Sequence, residues 1–302
     1  MKRILILLFL STAVSFSIAA QDSSTRSSQV TGQTFQLTAA QQEATNELNE
    51  AVRAYREGNF AEAQRHSEKA LALDPSGKTA PLFIARIIHA QYKPGDQAEA
   101  NVAKAREAIQ AYKRILVQDP RNEEAYKAVA YLYSAVKEDQ LFRQWVLQRA
   151  IDPNVSADKR AEAFVVLASR DWDCSFKITE LPTNKITTLK QHSAEIHYIR
   201  PKDPTEFEKA RQCVASGLQL VETAIGLSPE NESAWSYKTN LFLEMSKLAE
   251  MENQLDQVAE YQKQADAAHH RTMELSQKNP KPGCCLELPS VRPMLELPKG
   301  KP

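Results

Sequence analysis

Four of the prolines divide the chain into helical blocks. Each one closes a short phrase after a helical stretch: Leu73-Asp74-Pro75, Gln118-Asp119-Pro120, Ile151-Asp152-Pro153 and Leu227-Ser228-Pro229. Proline has no backbone N–H and its ring clashes with the preceding turn, so it is common just beyond a helix end. The four phrases therefore predict helices that end at repeated positions along the chain.

Small and large apolar residues stand in register with these prolines. Ten residues beyond each proline lies a small side chain, namely Ala85, Ala130, Ala163 and Thr239. Thirteen residues beyond lies a large apolar one, namely Ile88, Tyr133, Val166 and Phe242. Antiparallel helices approach closely where side chains are small, and large side chains fill the neighbouring gaps. The register predicts helix pairs that stack, because one pair cannot bury its apolar face alone.

This pattern resembles the tetratricopeptide repeat, a helix–turn–helix unit of about 34 residues with small residues at its packing points and a closing proline. The resemblance covers roughly residues 44–280 and is strongest over 44–77 and 121–153. It implies an all-α fold, a right-handed α-solenoid of about five helix pairs with one long insert. The composition agrees, because the chain has only 8 glycines and is rich in good helix formers such as Ala, Glu and Leu.

The regions outside the repeats differ in composition. Residues 21–43 are rich in Ser, Thr and Gln and are predicted to be a flexible leader before the solenoid at 44–277. Pro153 and Pro229 stand 76 residues apart, about 40 more than one repeat. The surplus predicts an irregular insert at about 171–204. Residues 278–302 are proline-rich and are predicted to be an extended tail.

Residues 1–20 have the pattern of a secretory signal peptide. A cationic start, Met1-Lys2-Arg3, precedes the apolar run Ile4–Leu10 and then small residues near Ala19 and Ala20. We expect cleavage after Ala19 or Ala20, and hence a periplasmic or secreted protein. The alternative is an uncleaved membrane anchor, but the apolar run is shorter than the roughly 20 residues that span a bilayer. No later stretch is apolar enough to cross one, so the mature chain is expected to have no transmembrane span.

The sequence carries no motif for a named reaction. It has no glycine-rich phosphate loop, no G-x-S-x-G and no H-E-x-x-H. His192 and His197, and the adjacent pair His269-His270, have no partner at a metal-binding spacing and are interpreted as solvated. We therefore predict no enzyme activity, no catalytic residue, no metal site and no cofactor. The 38 Lys and Arg residues balance the 38 Asp and Glu residues, so nothing indicates a nucleic-acid partner.

The cysteines of an exported protein are candidates for disulfides. Cys174 is expected near the end of the fourth pair's first helix or just after it, and Cys213 in the first half of its second helix. Antiparallel helices bring these two positions together, so Cys174–Cys213 is the first choice. The alternative pairs Cys284 or Cys285 with one of them and so joins the tail to the body.

The resemblance also implies a binding surface, since tetratricopeptide proteins bind peptides and proteins, usually in a concave groove lined by each pair's first helix. The positions that it places there include Tyr55, Arg56, Arg86, His89, Lys127, Tyr131, Arg160, Phe164 and Asn240. Four of them, Arg56, Arg86, Lys127 and Arg160, put one cation on each of four successive pairs. Such a groove would suit an acidic peptide or a free C-terminal carboxylate.

The sequence therefore predicts a non-enzymatic scaffold or adaptor of the cell envelope that binds a protein or peptide. A second interpretation is a structural or assembly component of an outer-membrane, secretion or pilus machine. A third is a redox protein that uses the vicinal Cys284 and Cys285.

Overall fold

The computed structural model describes residues 37–189 and 194–278. This part of the chain forms ten helices and one hairpin: α1 (Ala39–Arg56), α2 (Phe60–Leu73), α3 (Thr79–Ala90), α4 (Glu99–Gln118), α5 (Glu123–Ala135), α6 (Asp139–Ile151), α7 (Ala157–Thr179), β1 (Lys185–Leu189), β2 (Ala194–Tyr198), α8 (Pro204–Leu227), α9 (Glu232–Met251) and α10 (Leu255–Lys278). The predicted signal peptide, the proline-rich tail, His192, Cys284 and Cys285 lie outside the described residues.

The helices form five consecutive pairs, α1–α2 to α9–α10. Each second helix also packs against the first helix of the next pair, which links the pairs into one stack. The predicted all-α solenoid of about five pairs is therefore confirmed, and the β1–β2 hairpin is the one departure from it within the described residues. No helix in this part of the chain is long and apolar enough to cross a membrane.

Small residues lie where the helices come closest. Ala63 and Ala85 are fully buried. A Cβ atom at Gly217 on α8 would lie 2.7 Å from Leu241 Cδ2 on α9, so only glycine permits this approach without displacing the leucine. Val166 departs from the predicted register, because it is exposed on α7 rather than buried between helices.

The helix starts follow from polar caps. Asn59, Asn122 and Asn231 each accept a backbone N–H of the first turn of α2, α5 and α9, which satisfies a donor that has no partner within the helix. Thr38 and Gln41 form a reciprocal capping box at the start of α1. Helix α1 therefore begins at Ala39, and the predicted leader, drawn to residue 43, extends too far into the solenoid.

The insert is shorter and more regular than predicted. Helix α7 continues to Thr179, and a single 3₁₀ turn at Pro182–Asn184 leads into the antiparallel pair β1–β2. Asp171, Ser175 and Thr179 are buried, because α8 and α9 pack against this end of α7. Tertiary burial thus extends the helix through residues 171–179, and the predicted irregular insert at 171–204 is wrong over that stretch.

Candidate functional site

Side chains of the first helices meet across successive pairs. The Tyr55 ring on α1 lies 5.5 Å from that of Phe83 on α3, and His89 on α3 lies 5.7 Å from the Tyr131 ring on α5. Helices α7 and α9 also pack directly against each other. We call the exposed side of α1, α3, α5, α7 and α9 the first-helix surface. It is the surface on which the binding groove was predicted.

Two of the four predicted groove cations are already engaged. Arg86 Nε and Nη2 each donate to a carboxylate oxygen of Glu124 on α5 at 2.5 Å, a bidentate ion pair between neighbouring first helices. Arg160 Nε donates to the Ala150 carbonyl at 3.0 Å. That carbonyl lies in the last turn of α6, where carbonyl groups have no partner within the helix. Arg86 therefore has its charge paired with Glu124, whereas Arg160 is positioned by one bond to a neutral carbonyl and keeps its charge and its other guanidinium donors.

The other two cations are exposed. Arg56 at the end of α1 and Lys127 on α5 form no ion pair with any of the described residues. They lie on non-adjacent first helices, with α3 between them. Of the four expected cations, Arg86 is therefore the one whose charge is paired within the described residues.

The remaining predicted groove residues differ in burial. Phe164 is buried in the central core and is not a surface residue. Tyr55, His89, Tyr131 and Asn240 are half-buried. Burial lowers the pKa of His89, whose ring lies edge-on to Tyr112 at 5.8 Å. His89 is therefore a packed aromatic group rather than an extra cation.

An apolar and aromatic seam between α7 and α9 was not predicted. The Trp172 ring lies 4.9 Å from Phe176 and 6.1 Å from Tyr237 on α9. Phe176 itself is exposed, as are Val166 on α7 and Leu243 on α9. We call this group of residues the α7–α9 seam. The spacing of Trp172 and Phe176, four residues apart on one helical face, was a signal for it, but the sequence interpretation assigned both residues to the irregular insert.

A buried carboxylate lies beneath the seam. Glu244 on α9 is only 1% exposed. Ser175 Oγ and Thr179 Oγ1 on α7 donate to one of its oxygens at 2.9 and 2.8 Å, and Lys247 Nζ lies 2.6 Å from the other. A buried charge is tolerated when it is paired and hydrogen-bonded in this way. The network fixes the register of α7 against α9.

The same lysine joins this network to the hairpin. Lys247 Nζ lies 2.7 Å from Glu180, which also accepts hydrogen bonds from Lys185 Nζ at 2.7 Å and Tyr198 Oη at 2.8 Å. Burial raises the pKa of Glu180, but the bonds from Lys185, Lys247 and Tyr198 outweigh it and hold the pKa at about 2. Glu180 therefore stays ionised and ties both strands to α7 and α9.

A disulfide closes the base of the insert. Cys174 on α7 and Cys213 on α8 are bonded, with their Cα atoms 6.1 Å apart. This is the pairing that the sequence favoured over a link to Cys284 or Cys285. No group of three or more His, Cys, Asp or Glu residues among those described is placed to hold a metal ion.

The repeat geometry decides the type of fold. Five helix pairs stack through alanine and glycine contacts, and each pair is joined by a turn such as Gly58-Asn59, where Gly58 has a φ of 77°. The fold is of the tetratricopeptide type. No protein-family model and no curated protein matches the chain.

Several solved structures are similar to this tetratricopeptide-type chain. MamA is 15% identical, with 82% of this chain and 99% of MamA covered and a TM-score of 0.40. YrrB, a TPR protein with an unusual peptide-binding site, is 12% identical, with 78% and 92% covered and a TM-score of 0.34. PilF from Pseudomonas aeruginosa is 15% identical, with 80% and 100% covered and a TM-score of 0.30.

Proposed function

We propose that this protein is a non-enzymatic scaffold, exported to the cell envelope, that binds a peptide or protein partner on its first-helix surface. The α7–α9 seam supports this proposal most directly. Monomeric proteins leave few large apolar side chains exposed together, and such groups mark interaction sites. In the seam the rings of Trp172, Phe176 and Tyr237 lie together and Phe176 is exposed, while Val166 and Leu243 are exposed on the same two helices.

The seam is rigid before a partner arrives. Its two helices are joined through Glu244, Ser175 and Thr179, and α7 is bonded to α8 through Cys174. A surface that is already ordered loses little conformational entropy on binding, so more of the contact energy is available as affinity. The partner's apolar side chains would anchor on the seam.

We also propose that the partner is acidic or has a free carboxylate, although fewer cations support this than the sequence predicted. Arg86 is ion-paired with Glu124, and Arg160 is held by one bond to the Ala150 carbonyl, so the preference rests mainly on Arg56 and Lys127. Lys127 lies on α5, and α5 is joined to α7 where Arg170 donates to Ser134. An acidic group that flanks the partner's apolar anchor could therefore pair with Lys127.

Charged substitutions in the seam test the binding surface. Val166→Glu and Leu243→Glu replace exposed side chains, so each variant should fold, yet a carboxylate in the seam should weaken binding by about tenfold or more. Peptides selected from a random display library on the wild-type chain would be titrated against each variant by fluorescence anisotropy.

Val117→Glu is the matched control for these variants. Val117 is an exposed valine at the end of α4, a second helix, and lies off the first-helix surface. Its substitution should leave peptide affinity unchanged, whereas Lys127→Glu should weaken acidic peptides selectively. Selected peptides that bind the seam variants as tightly as the wild type would rule out the seam as the binding site.

Export has its own test. The full chain is expressed in a bacterial host, and the N-terminus of the product is mapped by mass spectrometry after cell fractionation. We expect a periplasmic product that starts at Ala20 or Gln21. A product that keeps Met1 and stays in the cytoplasmic fraction would contradict export and would leave the binding proposal to be judged on the peptide titrations.

A further inference from the structure

The outer edge of β1 is open. Strand β1 pairs only with β2 among residues 37–189 and 194–278. Helix α9 packs against β2, the other strand of the hairpin. The edge of β1 that faces away from β2 therefore has no backbone partner in the described part of the chain.

The strand register shows which backbone groups this edge presents. Ile199 N–H donates to the Asn184 carbonyl at 2.9 Å, just before the first paired residues. Hydrogen-bonded and non-hydrogen-bonded pairs alternate in an antiparallel ladder. With Lys185 opposite Tyr198 and Thr187 opposite Ile196, the N–H and C=O groups of Lys185, Thr187 and Leu189 point outward.

The usual protections of an edge strand are missing on β1. Proteins guard open edges with charged side chains, prolines or bulges. Strand β1 has no proline, and its one charged residue, Lys185, is bonded to Glu180 at 2.7 Å. Ile186 and Leu189 are 51% and 83% exposed. The strand thus offers both free backbone groups and apolar side chains.

The hairpin is also held in place. Tyr198 is bonded to Glu180 on the α7 side, and His197 Nδ1 lies 3.1 Å from Glu250 on α9. Cys174–Cys213 joins the helices on either side of the insert. A fixed edge is preorganised to accept a strand, because ordering it costs nothing further when a partner binds.

We propose that β1 is a second docking surface, separate from the first-helix surface, which binds an extended segment of a partner protein as a third strand. The outward N–H and C=O groups select an extended backbone. Ile186 lies on one face of the hairpin, and Leu189 and Ile196 lie on the other, so each face offers an exposed apolar contact to the bound strand. The edge carries no unpaired charge, so the bound segment needs no net charge of either sign.

The size of the edge favours a peptide segment over a second copy of this chain. A stable interface buries about 1,200–2,000 Å² and involves roughly 20–30 residues on each side. Strand β1 has 5 residues, far fewer than such an interface needs. Pairing between two β1 strands would therefore not hold a dimer by itself, whereas a short added strand fits a transient contact.

Thr187→Pro tests the backbone edge. The Thr187 N–H points outward, so proline removes a docking donor without removing a bond to β2. Thr187→Val is the matched control, because it keeps the N–H and a β-branched side chain. The probe is a fluorescein-labelled, end-blocked peptide of alternating threonine and valine. We expect about tenfold or weaker binding to Thr187→Pro and no change for Thr187→Val.

Two further measurements make the outcomes distinct. Two N-methylated peptides are compared, one modified at every odd residue and the other at every even residue. Only one set of N–H groups faces β1, so one of the two peptides should lose binding and the other should keep it. Slow exchange of the Glu195 and His197 amides should show that the hairpin of Thr187→Pro remains paired. Three results would overturn the proposal. They are equal binding of the probe by both Thr187 variants, no binding of the probe to the wild type, and a wild-type dimer that dissociates when Thr187→Pro is introduced. Val166→Glu should bind this probe normally, which separates a failure here from a failure of the seam.

Discussion

Replacing Cys174 and Cys213 together with serine should lower the free energy of unfolding by about 3–4 kcal/mol. The bond closes a loop with a sequence separation of 39, and this closure restricts the unfolded chain. The loop contains the hairpin and the whole junction between α7 and α8, so its loss should also loosen the surfaces proposed for binding. Urea denaturation of the mature chain, followed by circular dichroism at helical wavelengths, measures the difference.

The tail cysteines provide the control. Replacing Cys284 and Cys285 with serine leaves the bond between α7 and α8 intact, so stability should not change. A reducing agent should destabilise the wild type by the same amount as the double serine substitution and should leave that variant unaffected. If the tail substitutions are the destabilising ones, Cys174–Cys213 is not the bond that forms.

The helix pairs could be predicted because their determinants are local and repeated. A proline that ends a helix and an alanine that allows close packing each act on their immediate neighbours, so counting along the sequence finds them. Ala85 and Ala163 thus occupy the buried positions that counting from Pro75 and Pro153 predicted. The disulfide followed from the same reasoning, since helix direction alone brings Cys174 near Cys213.

The groove cations could not be judged in this way, because their partners come from other pairs. Nothing in the sequence around Arg86 shows that Glu124, 38 residues later, would take both of its donors. Arg160 donates a hydrogen bond to a backbone carbonyl of α6. No pattern of side chains in the sequence reveals such a partner. Charge at a predicted surface position is therefore a poor guide to free charge unless the neighbouring helix is known.

The seam and the hairpin were missed for a related reason. Helix α7 is longer than one helix of a 34-residue repeat because Ser175 and Thr179 find a buried partner in Glu244, which is 69 and 65 residues away. Isolated hairpins are marginally stable in water, so β1 and β2 depend on contacts such as Tyr198–Glu180 and His197–Glu250. Long-range polar contacts decide both features, and a local pattern does not report them.

Lys247→Met should destabilise the fold by about 3–5 kcal/mol, because it leaves the buried Glu244 carboxylate without its counter-ion. Methionine keeps an unbranched apolar side chain of similar length, so the loss reports the charge, including its contacts with the Phe176 and Tyr198 rings about 5 Å away, and not a cavity. Removing the lysine also takes one hydrogen bond from Glu180 and so loosens the hairpin. Urea denaturation at neutral pH measures the change.

The double variant Glu244→Gln, Lys247→Met shows whether the pair or the single charge matters. Glutamine still accepts from Ser175 and Thr179 but carries no charge, so the double variant should recover most of the stability that Lys247→Met loses. Such recovery would mean that the pair fixes the arrangement of α7, α9 and the hairpin without adding much net stability. A loss of stability below about 1 kcal/mol in Lys247→Met would instead mean that the pair behaves as a solvated surface pair. In that case the disulfide alone would have to account for the rigidity that we assign to the seam.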